Sequence, residues 1–202
     1  MTVSAPPEAL TPVGPPPVLP YPSNDWLRAA AKSPILFYRL GLGGFIGRLF
    51  MVLTTTGRKS GLPRRTAIEF HAYRGRKYVY SAWGTRADWF RNIEADPVVT
   101  IQTADGAEAC IARRLADEDE LAEAFDFAVQ NPTLRAWFDL LGIELTLESF
   151  LARCDELCFV TFDPTDVPAP PPVTADLKWV WPVLGALGLI WLLACRLRRR
   201  TN

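Results

Sequence analysis

The sequence has one histidine and four cysteines in 202 residues. A lone histidine, His71, excludes a histidine-rich metal centre and weakens any Ser-His-Asp arrangement. The cysteines supply no metal signature either. Cys110 stands alone, Cys154 and Cys158 have no second pair nearby, and Cys195 lies in an apolar tail. They read as buried, reduced thiols in a reducing compartment. Acidic residues are scarce over one stretch. Between positions 54 and 91 lie Arg58, Lys59, Arg64, Arg65, Arg74, Arg76, Lys77, Arg86 and Arg91, opposed only by Glu69 and Asp88. The formal net charge of zero hides this segregation, because acids dominate from Glu94 to Glu156. A basic half seeks an anionic partner. Zinc-finger spacing, a helix-turn-helix and a long basic helix are all missing, so nucleic acid is not the expected anion. The N-terminal stretch also lacks the basic and continuous apolar regions of a secretory signal.

What is present is a real core: 49% of the residues are hydrophobic, enough for one domain with appendages. Residues 1–22 are proline-rich and nearly uncharged, and read as a disordered arm. The domain is expected over residues 23–162. Ser23 or Asn24 can cap a short helix around Trp26, and Ser33-Pro34 gives a second helix start. Gly41, Gly43 and Gly44 interrupt the apolar segment that follows. Strands are expected near 49–56, 64–73, 77–83, 98–103, 108–115 and 158–162, with turns at Arg74-Gly75-Arg76 and Ala104-Asp105-Gly106. Asp88 is expected to cap a helix that ends at Asp96-Pro97. The acidic run from Asp117 opens another, with Leu121, Ala124, Phe125 and Ala128 as its buried stripe. Residues 132–141 and 146–153 read as further helical turns.

Residues 163–177 read as a proline-rich linker. Residues 179–195 are uncharged and strongly apolar, flanked by Lys178 and by Arg196, Arg198, Arg199 and Arg200. With tryptophans at 179 and 181, residues 178–196 are expected to form a transmembrane anchor helix, followed by a basic tail at 197–202. The arginine end favours the cytoplasmic side, whereas free thiols favour a cytoplasmic domain. The expectation is a cell-membrane location with the domain cytoplasmic.

The chain is organised around residues 53–65, LTTTGRKSGLPRR. An apolar run and three threonines favour an extended backbone. Gly57 and Gly61 then bracket Arg58, Lys59 and Ser60, and a second strand starts near Arg64. Backbone N–H groups, cations and a hydroxyl at such a turn can converge on a phosphate or carboxylate. An ordinary hairpin with a solvated basic loop has the same spacing.

Two more motifs lie downstream: YVYSAWG at residues 78–84 and DWFRNIEADPVVTIQ at residues 88–102. Together with residues 53–65 they resemble the deazaflavin (F420)-dependent nitroreductases, a family that includes F420H2-dependent quinone reductases. The resemblance covers most of residues 35–162. It implies an α+β, mainly β fold: a split β-barrel, FMN-binding-like, with flanking helices. It implies coenzyme F420, a deazaflavin with a phospholactyl-polyglutamate tail, and hydride transfer to a quinone, nitro compound or similar apolar acceptor. By motif position, Arg58, Lys59 and Ser60 should hold the tail phosphate, with Arg64 and Arg65 near the phosphate or glutamates. Thr66, Ala67, Ser81, Ala82 and Trp83 should border the ring. Trp89 and Asn92 should shape the pocket mouth or anchor its helix. Ser81 or Tyr80 is the expected catalytic hydroxyl, and alternation allows only one of them to face the pocket. Thr66-Ala67 and Glu69-Phe70 depart from the family's usual residues. A membrane tail would place the domain beside a lipophilic quinone, and a homodimer stays open. An FMN-dependent oxidoreductase and a non-catalytic F420-, haem- or lipid-binding barrel are the competing readings.

Overall fold

The computed structural model describes residues 32–200 apart from Ala82, Leu141 and Ile143, together with all but a few of their side chains. The expected arm at 1–22 and the helix around Trp26 lie outside the described residues. Two short helices, α1 (Ser33–Arg39) and α2 (Gly43–Ile46), lead into the sheet. Its strands are β1 (Phe50–Thr56), β2 (Pro63–Glu69), β3 (His71–Tyr73), β4 (Arg76–Val79), β5 (Val98–Thr103), β6 (Gly106–Arg114) and β7 (Val160–Pro164). Helix α3 (Asp88–Ala95) separates β4 from β5. Helices α4 (Glu118–Gln130), α5 (Pro132–Leu140) and α6 (Leu147–Leu157) separate β6 from β7. A final helix, α7, runs Val180–Arg200.

The strand order is β2-β1-β5-β6-β7-β4-β3, antiparallel throughout. The two ends of this sheet are consecutive in sequence. The expected single strand 64–73 is interrupted at Phe70, so its first half pairs with β1 and its second with β4. One bent segment thus joins both edges and curls the sheet into a half-barrel. The β3–β4 turn fits: Arg74 and Gly75 both have positive φ, 48° and 79°, the twist that tight hairpins require.

Strand alternation sorts the side chains into cores. Met51, Leu53, Val99, Ile101, Val160 and Phe162 fill the curl, and Trp89, Phe90 and Ile93 of α3 pack with them. Tyr78 and Phe159 face the other way, against Leu121, Ala128, Phe138 and Phe150 of the helices. Asp117 caps α4 by accepting from the N–H groups of Asp119 and Glu120. Glu120 receives Arg113 through two bonds of 2.6 Å and Arg76 at 2.8 Å, which fastens α4 to β6 and β4. The four cysteines are reduced thiols, Cys110 and Cys158 buried. Burial pushes the Cys110 thiol up to about 11, the behaviour of an inert core cysteine.

Val52 lies on the outer face with Tyr38 and Val173. The Tyr38 hydroxyl sits 2.9 Å from the carbonyls of both Phe50 and Gln102, where β1 and β5 splay apart. The proline-rich segment after β7 crosses this same face. Gln102 donates to the Val173 carbonyl at 3.2 Å and accepts from its N–H at 3.0 Å. Thr100 donates to the Pro170 carbonyl. Proline has no N–H, so its carbonyl is the group available for capture by neighbouring side chains. The segment then reaches α1, where Arg39 meets Asp176 at 2.9 and 2.6 Å. The N–H of Leu177 donates to the Arg39 carbonyl at 2.9 Å.

The transmembrane expectation for residues 178–196 is corrected. Among the described residues no helix is long and apolar enough to cross a membrane. Charge enters α7 at Arg196, so its uncharged part, residues 180–195, rises only about 24 Å at 1.5 Å per residue. A typical hydrocarbon core is roughly 30 Å thick. Pro182, Gly185 and Gly188 also dilute its hydropathy.

Burial pushes the Tyr38 phenol up from 10.0 to about 12. The folded state therefore holds this proton more tightly than the unfolded chain, and its contribution to stability is complete below pH 10 and fades from there to pH 12. Replacing Tyr38 by Phe should cost about 1–2 kcal/mol in urea unfolding near neutral pH and flatten the loss of stability between about pH 10 and 12.

Candidate functional site

The basic turn between β1 and β2 is closed by its own backbone. The N–H of Gly57 donates to the Leu62 carbonyl at 2.9 Å, and those of Ser60 and Gly61 donate back to the Gly57 carbonyl at 3.0 and 2.8 Å. Gly57 has no room for a side chain: a Cβ there would lie 2.8 Å from Ser60 Oγ and 3.1 Å from the Leu62 carbonyl. Gly61 has φ +64°, which disfavours any side-chain-bearing residue. Most of the turn's N–H groups are thus spent within it. Anion attraction falls to its side chains.

Those side chains divide. Arg58 is neutralised: its Nη2 meets Asp88 Oδ1 at 2.8 Å, and its Nη1 donates to Asn92 Oδ1 at 3.0 Å. The Arg58 N–H donates to the same Asn92 oxygen at 3.3 Å, while Asn92 Nδ2 donates to Thr55 Oγ1 at 3.0 Å. Asn92 is buried, and this clamp joins the end of β1, the turn and α3. Asp88 does not cap its helix as expected. Ala87 occupies the N-cap position, and the Asp88 carboxylate is drawn to Arg58 instead. The signal for this pair was present, since Asp88 is one of only two acids within the basic stretch.

Lys59 is exposed at the tip of the turn. Arg64 lies opposite Thr55, and its Nη2 donates to Ser60 Oγ at 3.3 Å. Lys59 and Arg64 form no ion pair with an acid among the described residues. Arg65 turns the other way. It lies opposite Thr54, on the face crossed by the proline-rich segment, with Nη2 3.5 Å from the carbonyls of Pro171 and Pro172. The pairing repeats this division along β2. Thr66 opposes Leu53 on the inner side, whereas Ala67 opposes Val52 on the outer side. Arg58, Lys59, Ser60, Arg64, Thr66 and Asn92 therefore belong to one rim, from which Arg65 and Ala67 diverge.

The remaining sequence-predicted residues lie deeper. The Ser81 hydroxyl is buried and donates to the Gly84 carbonyl at 2.8 Å, so its proton closes a turn. Tyr80 packs on the helix side, its ring parallel to His71 at 6.2 Å and tilted against Phe159 at 6.0 Å. Burial and the nearby Glu69 carboxylate raise the Tyr80 phenol far above its ordinary range, which keeps it protonated. Burial raises the Glu69 carboxyl as well and lowers His71, which stays neutral. Trp89 is only 6% exposed and meets Phe90 edge-on at 5.9 Å, so its bulk sits in the core. Trp83 is half-buried against that core. Ala82 lies outside the described residues.

Residues 37–135 match the model of the F420H(2)-dependent quinone reductase family. That span contains the turn, its flanking strands and the clamping helix. The match spans just under half of the chain and makes this stretch similar to F420H2-dependent oxidoreductases, a similarity that implies coenzyme F420 as the cofactor. Among solved structures, the chain resembles an F420-H2 dependent reductase, FDR-A, at 23% identity over 57% of this chain and 93% of that one, with a TM-score of 0.36. It resembles an F420 reductase at 19% identity over 58% and 86%, TM-score 0.35. HutZ, a haem storage protein from Vibrio cholerae, aligns at 13% identity over 72% and 98%, TM-score 0.43.

Replacing Asn92 by Ala should destabilise the domain by about 2–3 kcal/mol, because it removes the acceptor shared by two Arg58 donors and one of the two bonds of the buried Thr55 hydroxyl. Thermal unfolding measures the cost. Limited proteolysis should also cut residues 57–62 faster, since the clamp to α3 is what fixes that turn.

Proposed function

We infer that this protein transfers hydride from reduced F420 to a quinone or similar apolar acceptor at a membrane surface, and that the rim at residues 58–66 grips the cofactor's anionic tail. One observation carries the reading: a turn held rigid by its own bonds presents Lys59 and Arg64, which pair with no acid among the described residues. The donor set fits the group. A phosphate and several carboxylates call for exposed cations and a hydroxyl, and Lys59, Arg64 and Ser60 supply them. When bound, the reduced deazaflavin supplies the hydride.

The chain's own residues position and exclude. Lys59 and Arg64 attract the tail across solvent. Arg58 acts through Asp88 and Asn92, fixing the turn on α3. Thr66 continues the rim into the curl, toward Trp83 and the apolar core. Neither of the two candidate hydroxyls needs to give up a proton. Ser81 donates to Gly84, and Tyr80 is held neutral by burial.

The acceptor and its setting complete the proposal. Large apolar side chains of α7 are exposed at Val183, Leu184, Leu187, Leu189, Ile190, Trp191 and Leu192, which encircle the helix. A helix apolar all round belongs in an apolar medium. Too short to cross a bilayer, α7 would rest in one leaflet. That would hold a cytoplasmic domain beside bilayer-dissolved quinone, and reduced cysteines suit such a compartment.

Titrating the full chain with F420 and FMN by fluorescence quenching, then adding a quinone to the reduced complex, tests this. F420 should bind and its reduced form should be oxidised on quinone addition; tight FMN binding with no response to F420 would refute the reading. Lys59→Ala should weaken F420 binding about tenfold, equivalent to about 1.4 kcal/mol, with an unchanged melting temperature. Arg58→Ala should lower both affinity and melting temperature, because it releases the clamp.

A further inference from the structure

The corner formed by α1 and α2 exposes large apolar side chains that the reductase reading does not use. Phe45 is 76% exposed and Leu49 62%, with Leu36 and Phe37 beside them in sequence and also exposed. None lines the basic rim. This corner is also where α7 begins. Trp181 Nε1 donates to the Leu40 carbonyl at 2.8 Å, and the Lys178 stem packs over Gly41, where a Cβ would lie 2.6 Å from Lys178 Cε. An open groove of about 460 Å³ runs between Leu40, Leu42 and Trp181. The corner and the first turn of α7 therefore form one contiguous surface.

Charge identifies what this surface meets. Between Lys32 and Glu69 the sequence has no acidic residue, and from Leu177 to Asn202 it again has none. Arg48 and Lys178 are exposed at the corner, and Arg39 pairs with Asp176 behind it. An apolar patch flanked by the exposed cations Arg48 and Lys178, and carrying the Trp181 indole at its groove, matches an anionic bilayer surface: acyl chains for the phenylalanines and leucines, headgroup phosphates for the cations. A second copy of the chain would bring the same positive edge against itself.

We propose that the α1–α2 corner and α7 together form a docking surface for anionic lipid bilayers, so that the domain lies on the membrane through its own body as well as its helix. The proposal rests on the reading of α7 as a lipid-contacting helix, and not on the cofactor. Contact at two places fixes the tilt of the domain, which a single flexible attachment would not.

Sedimentation of the full chain with vesicles of phosphatidylglycerol and phosphatidylcholine, against phosphatidylcholine alone, tests it. The native chain should partition onto the anionic vesicles at least tenfold more strongly, and added salt should erase that preference. Phe45→Asp with Leu49→Asp should reduce partitioning at least tenfold while thermal unfolding stays native, since both side chains are exposed. Arg48→Glu with Lys178→Glu should remove the preference for anionic lipid. If the Phe45/Leu49 variant binds like the native chain, α7 docks alone and the proposal is overturned while the reading of α7 survives. If Leu187→Asp with Trp191→Asp binds like the native chain, the reading of α7 fails and the joint surface with it. Absence of vesicle binding, with dimerisation that the Phe45/Leu49 variant abolishes, would replace lipid by a second copy and overturn the proposal.

Discussion

A single buried amide holds the working end of this protein together. Asn92 donates to Thr55 at the end of β1 and accepts from both the backbone and the guanidinium of Arg58. Its three partners belong to a strand and a turn, while Asn92 itself belongs to the helix that plugs the curled sheet. Removing Asn92 takes the acceptor from both Arg58 donors and a bond from the buried Thr55 hydroxyl at once, which is costlier than any one bond was worth. A turn that must present cations to solvent cannot be held by apolar packing. Here it is held by polar groups whose bonds are satisfied inside, so the cations outside keep their position without an acid to hold them.

This division of labour explains why adjacent arginines do different things. Arg58 is spent on structure, Arg64 faces the rim, and Arg65 points across the sheet to the proline carbonyls. Charge density along the sequence does not reveal that split, because a strand sends successive residues to opposite faces. The proline-rich segment shows the same principle from the other side. Composition reads it as a linker; in the fold Gln102, Thr100, Arg65 and Arg39 all engage it. The outer face of β1 and β5 is covered as a result, and the start of α7 is fixed at the α1–α2 corner.

Much of the mainly-β architecture was legible. An apolar run and three threonines located β1, the Ala104-Asp105-Gly106 turn marked the β5–β6 hairpin, Arg74-Gly75-Arg76 marked the turn before β4, and the acidic run from Asp117 marked the start of α4. The break at Phe70 was not legible, because it depends on the sheet curling far enough for one segment to pair at both edges. Nor was the pairing of Asp88. Local propensity assigns it to a helix cap, and only the tertiary approach of Arg58 diverts it. At the site, motif position grouped the basic turn as one unit, yet could not tell which of its cations meet an acid and which turn to the other face. Ser81 looked like a free hydroxyl in sequence and is committed to the Gly84 carbonyl in space. The apolar tail misled for a simpler reason: its uncharged run ends at Arg196, too soon for the helix to cross a bilayer.

The account turns on the rim at residues 58–66 gripping a polyanionic tail rather than a flat ring. The direct measurement is the affinity of the full chain for F420 compared with its deazaflavin headgroup lacking the phospholactyl-polyglutamate tail, at low and high salt. Cations as exposed as Lys59 and Arg64 predict that F420 binds at least tenfold more tightly, and that the difference collapses as salt screens the charges. Equal affinity for the two molecules at every salt concentration would contradict the account.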